Sequence, residues 1–361
     1  MINTPQRIEV FALDWPEVVP DADLAALLAQ STTLCDGDAV LVTSKVVSKA
    51  ERRAIFGDRR VSIARESRRV LARRGDAVIA QTRHGLVMAA AGVDASNVPA
   101  GTALTLPLNP DESARRLRQR VHELSGTNIA VIITDTAGRA WRLGQTDMAI
   151  GCAGVFPLID LHGSYDTHGN ELFVTAPAIA DELAAAGDLV KGKTSNRPVA
   201  VVRGLVGWVL PVDDHGPGAQ ALIRKSGDDL FGLGAREAAL TAATRDDQVA
   251  LAHFASRIPA DPDPFEQLLT SHPAVRLTVA RGGPGDGRTT TWRVRIDVQA
   301  DAADDALIEV GRLLERAHVL ATAYRLDPGN TISPDDCSPG AQSGWRTAAS
   351  AGWTHRSAGS S

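Results

Sequence analysis

The sequence is poor in the residues that mark several common classes of protein. Three cysteines, Cys35, Cys152 and Cys337, are odd in number and widely spaced, and none stands in a metal-ligand pattern. Neither a disulfide framework nor a zinc site is therefore expected, and a reducing compartment is favoured. Aromatic residues make up only 4% of the chain, so a core must be largely aliphatic. A formal net charge of −5 gives no global basic field for nucleic acid or anionic lipid. The opening MINTPQRIEVFALDW has no basic segment followed by an apolar one, and no apolar run approaches membrane-spanning length. Serine-hydrolase elbows, Cys–His pairs and internal repeats are likewise missing. The expectation is a cytoplasmic, enzyme-sized protein with no nucleic-acid or membrane partner.

What is present points to a mixed α/β (α+β) fold. The 361 residues allow two domains, and 44% hydrophobic residues suffice for a sizeable core. DAVLV (38–42) and NIAVIIT (128–134) read as buried strands, with ELFVT (171–175) and PVAVVRG (198–204) as two more. NPDESARRLRQRVHEL reads as a helix capped by Asn109 with Pro110 in its first turn, burying Ala114, Leu117, Val121 and Leu124. APAIADELAAAGDLV reads as another, with Ile179, Leu183 and Leu189 on its buried face. A first domain over 1–235 is expected to give way to a connecting helix (REAALTAATRDDQVALAHFASR) and a linker (IPADPDPF). A small β-β-α extension follows within 236–345: a hairpin around RGGPGDGR, then a helix with Leu307, Val310, Leu314 and Leu320 on one stripe. The small, polar residues 346–361 read as a disordered tail.

Four stretches carry residues suited to chemistry. In VIITDTAGRAWRLGQTDMAIG a buried run gives way to Asp135, Thr136, Arg139, Arg142 and Asp147. Ligands of such sheets sit beyond strand ends, and Asp135 and Thr136 offer the hard oxygens that Mg²⁺ and Mn²⁺ take. The bland alternative is that Asp135 caps the next turn. GLVMAAAGVDASNVPAG adds Asp94 and Asn97 in a small-residue loop, where a simple Asx-turn at Asp94 is the alternative. VTSKVVSKAE sets Ser44, Lys45 and Lys49 after a strand, an arrangement that serves an anion if a helix begins there and is otherwise a solvated lysine face. GDLVKGKT (187–194) matches the P-loop pattern letter for letter, but a helix precedes it and a strand follows, the reverse of what that motif requires. It is read as a basic loop whose Lys191 and Lys193 can touch phosphates. His162 and His168 fall in a segment read as a surface loop.

Taken in order, WPEVVPDADLAALL, DGDAVLVTSKVVSKAE, AAAGVDASNV, VIITDTAGRAWRLGQTDMAIG, GNELFVTAPAIADELAAAGDLVKGK and PVAVVRG resemble the coenzyme F-420-0:γ-glutamyl ligase family, from about Ile8 to about Leu233. The resemblance implies GTP as a substrate beside the coenzyme precursor and L-glutamate, two Mg²⁺ or Mn²⁺ ions with room for K⁺, and a homodimer. It implies that Asp94 and Asp135 ligate one ion and act in catalysis, and that Thr136 reaches the second. Nucleotide contacts are implied for Trp15, Pro16, Glu17, Val18, Ser44, Lys49 and Asn97, and for the loop carrying Lys191, Gly192, Lys193 and Thr194. Asp147 is a further candidate for metal or substrate positioning. Two departures stand out: Trp15 replaces the family's usual Leu, and Lys193 stands where some members carry a Gln that helps hold the second metal. An ammonium donates hydrogen bonds but ligates no cation. No flavin is expected, because the start of the nitroreductase-like domain found fused to some relatives is missing. A non-catalytic GTP- or coenzyme-binding regulator and a metal-dependent phosphatase or GTPase are the competing readings.

Overall fold

A run that is apolar at every position needs both its faces covered, and the two such runs in this chain become neighbouring strands in the middle of one sheet. The computed structural model describes residues 6–99, 101–225, 228–229, 231–234, 238, 270, 272–282, 289–299, 301, 303–323, 327–328 and 345–356. The chain divides into two compact units, Met1–Asp229 and Leu230–Ser361. The first unit contains β1 (Glu9–Leu13), α1 (Leu24–Ser31), β2 (Ala39–Thr43), α2 (Ser44–Ala50), β3 (Ala54–Phe56), α3 (Arg59–Glu66), β4 (Ser67–Arg74) and β5 (Ala77–Thr82). It continues with β6 (Val87–Ala89), β7 (Thr102–Leu104), α4 (Pro110–Ser125), β8 (Ala130–Gly138), β9 (Gln145–Ala153), α5 (Ile179–Lys191) and β10 (Val199–Arg203).

The main sheet has the order β1-β10-β2-β8-β9. Its β2–β8 pair is parallel, from Ala39 opposite Ala130 to Thr43 opposite Thr134, and every other pair is antiparallel. Alternation sends Val40, Val42, Val131 and Ile133 to one face, where they pack with α1 and α4. Ala39, Leu41, Ala130 and Ile132 go to the other, where α5 covers them. Gly187 permits the close approach of α5: a Cβ there would lie 2.3 Å from the Leu41 Cδ1. The fold is therefore α+β, with helices on both faces of a mixed sheet.

The helix signals behave as their chemistry requires. Asn109 accepts from the Glu112 amide, Pro110 opens α4, and Gly126 closes it in the left-handed region at φ 72°. Ala114, Leu117 and Val121 are buried, whereas Leu124, in the last turn, is exposed. In α5, Ile179 and Leu183 are buried but Leu189 lies on the far side of the helix and faces solvent. Residues 171–175 are not a strand. They pair irregularly with the preceding loop, through Leu172 to Ser164 and Leu161 to Thr175, and leave Phe173 and Val174 exposed instead of joining the sheet. Arg118, almost fully buried in α4, donates to the carbonyls of Leu210, Pro211, Val212 and Asp214 and so fastens that loop.

The second unit contains β11 (Val275–Gly282), β12 (Thr289–Gln299), α6 (Asp304–Ala323), β13 (Asp327–Pro328) and β14 (Trp345–Arg356), with the sheet order β11-β12-β14-β13. The expected hairpin is present as β11–β12. Trp292, Val294, Ile296 and Val298 alternate inward against Ala306, Val310, Leu313, Ala317 and Ala321. Of the expected stripe on α6, Val310 is buried and Leu314 and Leu320 pack against the same core, whereas Leu307 is exposed and Leu313 is the residue fully enclosed. Small residues spaced along the helix allow its close approach to the sheet, a signal that counting leucines overlooks. The segment expected to be a disordered tail is instead largely a strand, because β14 pairs with β12 from Thr289 opposite Arg356 to Gln299 opposite Trp345, with one register shift between Ile296 and Asp297. Apart from Ala238, the expected connecting helix and the linker lie outside the described residues.

Candidate functional site

The parallel pair β2–β8 stops at Thr43 opposite Thr134, and the next residues of each strand meet across the gap. Ser44, first in α2, donates its hydroxyl to the Asp135 Oδ1 at 2.7 Å. The chain does not turn away at Asp135. It runs on as a hairpin, β8–β9, that brings Asp147 opposite Thr136. Asp147 Oδ1 accepts from the Thr136 hydroxyl at 2.7 Å, while Oδ2 accepts from Thr134 at 2.9 Å and from the Lys191 ammonium at 2.6 Å. Lys191 also donates to Thr134 at 2.8 Å. The Lys193 ammonium donates to Thr136 and lies 3.9 Å from an Asp188 oxygen.

Asp94 arrives from a separate element. A short antiparallel bridge to Leu104 holds its backbone, and Lys45 of α2 pairs with its carboxylate at 2.6 Å. The Ser96 amide and hydroxyl also donate to it, at 2.8 and 2.9 Å, so the Asx-turn and the site are the same feature. Asn97 is exposed, with φ 55°. Lys49 pairs with Glu17 at 2.6 Å, which joins the Trp15–Val18 segment to α2. Trp15 and Val18 are core residues, whereas Pro16 and Glu17 face solvent. Gly192, Lys193 and Thr194 are exposed.

Two expectations change. Lys191 was expected to face phosphate, yet only 3% of its side chain is exposed and its ammonium is committed to Asp147 and Thr134. It is the last residue of α5 and continues the buried stripe Ala180, Ala184, Gly187, a period that the P-loop-like string obscures. Arg139 and Arg142 sit at the exposed tip of the β8–β9 hairpin, away from Asp135, and Arg139 donates to the Leu143 carbonyl. The functional group that sequence reasoning left unpaired is Lys45. Its position two residues after Thr43, where the parallel pair ends, was the available signal.

The electrostatics single out Asp135. Among the described residues, its one side-chain hydrogen bond comes from Ser44 and it makes no ion pair. Burial, with the charges of Asp147 and Asp94 adding to it, pushes its carboxyl up to about 6, against the Ser44 hydrogen bond and the Lys45 charge. Burial also acts on Asp94 and Asp147, but their lysine and hydroxyl partners outweigh it and hold both below the usual carboxylate range. A divalent ion fits here: the donors are all oxygen, and the one carboxylate without a cation is the enclosed one. No three His, Cys, Asp or Glu residues converge as a complete metal site among the described residues, so a bound ion would also need oxygens from substrate or water. A second ion at Thr136 fits poorly, because that hydroxyl accepts from the Lys193 ammonium and the two cations would stand against the same oxygen.

A raised carboxyl pKa has a definite sign in folding. Between the unfolded value and the folded one, the native state binds more protons, so stability falls as pH rises through that window. Metal-free protein should lose roughly 3 kcal/mol between about pH 3 and pH 7 relative to Asp135→Asn, which has no titrating group at that position. Urea melts of both proteins in chelator, at both ends of the window, measure the difference. Parallel pH profiles would show that Asp135 is not desolvated as its surroundings imply.

Acids and ammonium groups gathered where a parallel strand pair ends give this α+β fold a site suited to charged ligands, as in enzymes that act on them. Residues 55–204 match the family model described as F-420-0:gamma-glutamyl ligase. A curated relative named coenzyme F-420:L-glutamate ligase, from Methanopyrus kandleri, is 40% identical over 247 residues, covering 62% of this chain and 97% of that protein. The chain belongs to the F-420-0:gamma-glutamyl ligase family. Relatives of the same name from Archaeoglobus fulgidus and Methanococcus maripaludis are 38% and 33% identical, over 55% and 64% of this chain and 88% and 100% of their own lengths.

Proposed function

We propose that the protein is a GTP-dependent ligase that adds L-glutamate to the coenzyme F-420 precursor, F-420-0, and then further γ-linked glutamates. The observation that carries this reading is Asp135, an enclosed carboxylate with no ammonium partner beside two acids, Asp94 and Asp147, that each have one. Membership of the family supplies the reaction class.

A carboxylate resists attack by an amine until one of its oxygens becomes a leaving group. The terminal carboxylate of the precursor attacks the γ-phosphorus of GTP, GDP leaves, and an acyl phosphate results. The α-amine of L-glutamate then attacks the acyl carbon, phosphate departs, and the amine gives up a proton. Asp94 and Asp135 would hold a Mg²⁺ or Mn²⁺ ion, which would supply neutralisation of the phosphoryl charge. Lys45 and Lys193 are within the site to meet phosphate oxygens, with Lys49, Asn97 and Thr194 around it as nucleotide contacts. Ser44 positions Asp135 instead of touching the nucleotide, given its hydrogen bond. The reaction needs no flavin, and K⁺ is a further ion to vary in assay.

A homodimer is part of this reading, since Trp141 and Leu143, 90% and 99% exposed at the hairpin tip, offer apolar surface to a second copy. The proposed setting is the cytoplasm, where GTP and L-glutamate are available; among the described residues no helix is long and apolar enough to cross a membrane.

Mass spectrometry of F-420-0 incubated with the protein, GTP, L-glutamate and Mn²⁺ tests the proposal. A glutamyl mass increase that depends on GTP is expected. GTP binding without product would favour the regulator, and phosphate release without a mass increase would favour a phosphatase.

A further inference from the structure

We propose that this chain takes one divalent ion, and that the second positive charge of its site is the ammonium of Lys193. The inference rests on the metal-site reading above and concerns what stands beside that ion. Thr136 is the oxygen the resemblance offers for a second ion, with Asp147 as a further candidate, and the threonine hydroxyl already has a cation beside it. The hydrogen goes to Asp147 Oδ1 at 2.7 Å, and the oxygen accepts from Lys193. No carboxylate is left to help, because Asp147 spends its other oxygen on Thr134 and Lys191. That network will not rearrange easily, since Lys191 and Asp147 are each only 3% exposed.

The local backbone sets Lys193 in this place. Helix α5 ends at Lys191, Gly192 turns the chain at φ 62°, and the Ser195 hydroxyl donates to the Lys191 carbonyl. Lys193 therefore folds back over the helix C-terminus, where unpaired carbonyls concentrate negative potential and favour a cation. Asp188, 3.9 Å from its ammonium, strengthens that preference. Charge balance points the same way. Asp94, Asp135 and Asp147 face Lys45, Lys191 and Lys193, so the Lys193 ammonium already supplies positive charge beside Thr136, where a second ion would otherwise stand.

Equilibrium titration of the full chain with Mn²⁺, following free Mn²⁺ by electron paramagnetic resonance, reads the stoichiometry without reference to turnover. The parent protein should bind one Mn²⁺ per chain. Lys193→Gln, which removes the charge and supplies a carbonyl oxygen, should double this to two. Lys193 is largely exposed, so the substitution leaves folding intact, which circular dichroism checks. Two ions in the parent, or one in both proteins, would overturn the inference while leaving the metal site standing. No Mn²⁺ bound to the parent would overturn the metal site itself, and the inference with it.

Discussion

Asp135→Asn is expected to slow GTP-dependent glutamate addition by roughly 1,000-fold or more and to melt several degrees above the parent protein in chelator. The two effects have one cause. Asp135 is an enclosed carboxylate whose one hydrogen-bond donor among the described residues is Ser44 and whose nearest charged neighbours include two other acids. Without a cation, its charge costs the folded state about 3 kcal/mol at neutral pH. An amide of the same shape still accepts from Ser44 and carries no charge, so that cost disappears. In a unit of this size each kcal/mol is worth roughly 2–4 °C. The ion that the charge would hold is lost with it, and several kcal/mol of transition-state stabilisation go too. Calorimetry and single-turnover rates on the same preparations separate this from misfolding, which would lower both activity and melting temperature. Near-parent turnover would remove Asp135 from the site.

Much of the fold was legible because its strongest signals are local. The runs at 39–43 and 130–134 are apolar at every position, and a strand with two covered faces requires that. Asn109, Pro110 and Gly126 mark the ends of α4 through groups within a few residues of each other. Asp94 and Asp135 were legible as candidate acids for the same reason: each interrupts an apolar stretch. Their partners were not. Lys45 meets Asp94, and Lys191 meets Asp147, across separations that only the tertiary fold closes. The string GDLVKGKT shows the limit most clearly. Two lysines one residue apart look equivalent in sequence, yet a helix end falls between them. Lys191, still helical, points into the sheet with Gly187; Lys193, after the turn at Gly192, points back over the helix end into the site. ELFVT failed for a related reason, since strand-like composition decides nothing when the neighbouring loop is the partner within reach.

Lys191→Met should test that division between the two lysines through stability. Among the described residues, removing the ammonium leaves Asp147 buried with the hydroxyls of Thr134 and Thr136 as its side-chain donors. Breaking a buried pair from one side costs about 3–5 kcal/mol, a large share of the 5–15 kcal/mol (roughly) that holds a typical domain. Lys191→Met combined with Asp147→Asn should recover most of it, because the neutral pair leaves no uncompensated charge. The pH dependence has a fixed sign. In the parent, the lysine holds Asp147 below the usual carboxylate range, a stabilisation present at neutral pH and lost as pH falls through that lowered value. In the single variant, burial acts on Asp147 unopposed by any ammonium, so acid neutralises a destabilising charge. The stability gap between variant and parent should therefore narrow as pH falls below about 5. A lysine that served mainly to hold phosphate would behave otherwise: its loss would leave the melting curve of the free protein unmoved at every pH and weaken GTP binding alone.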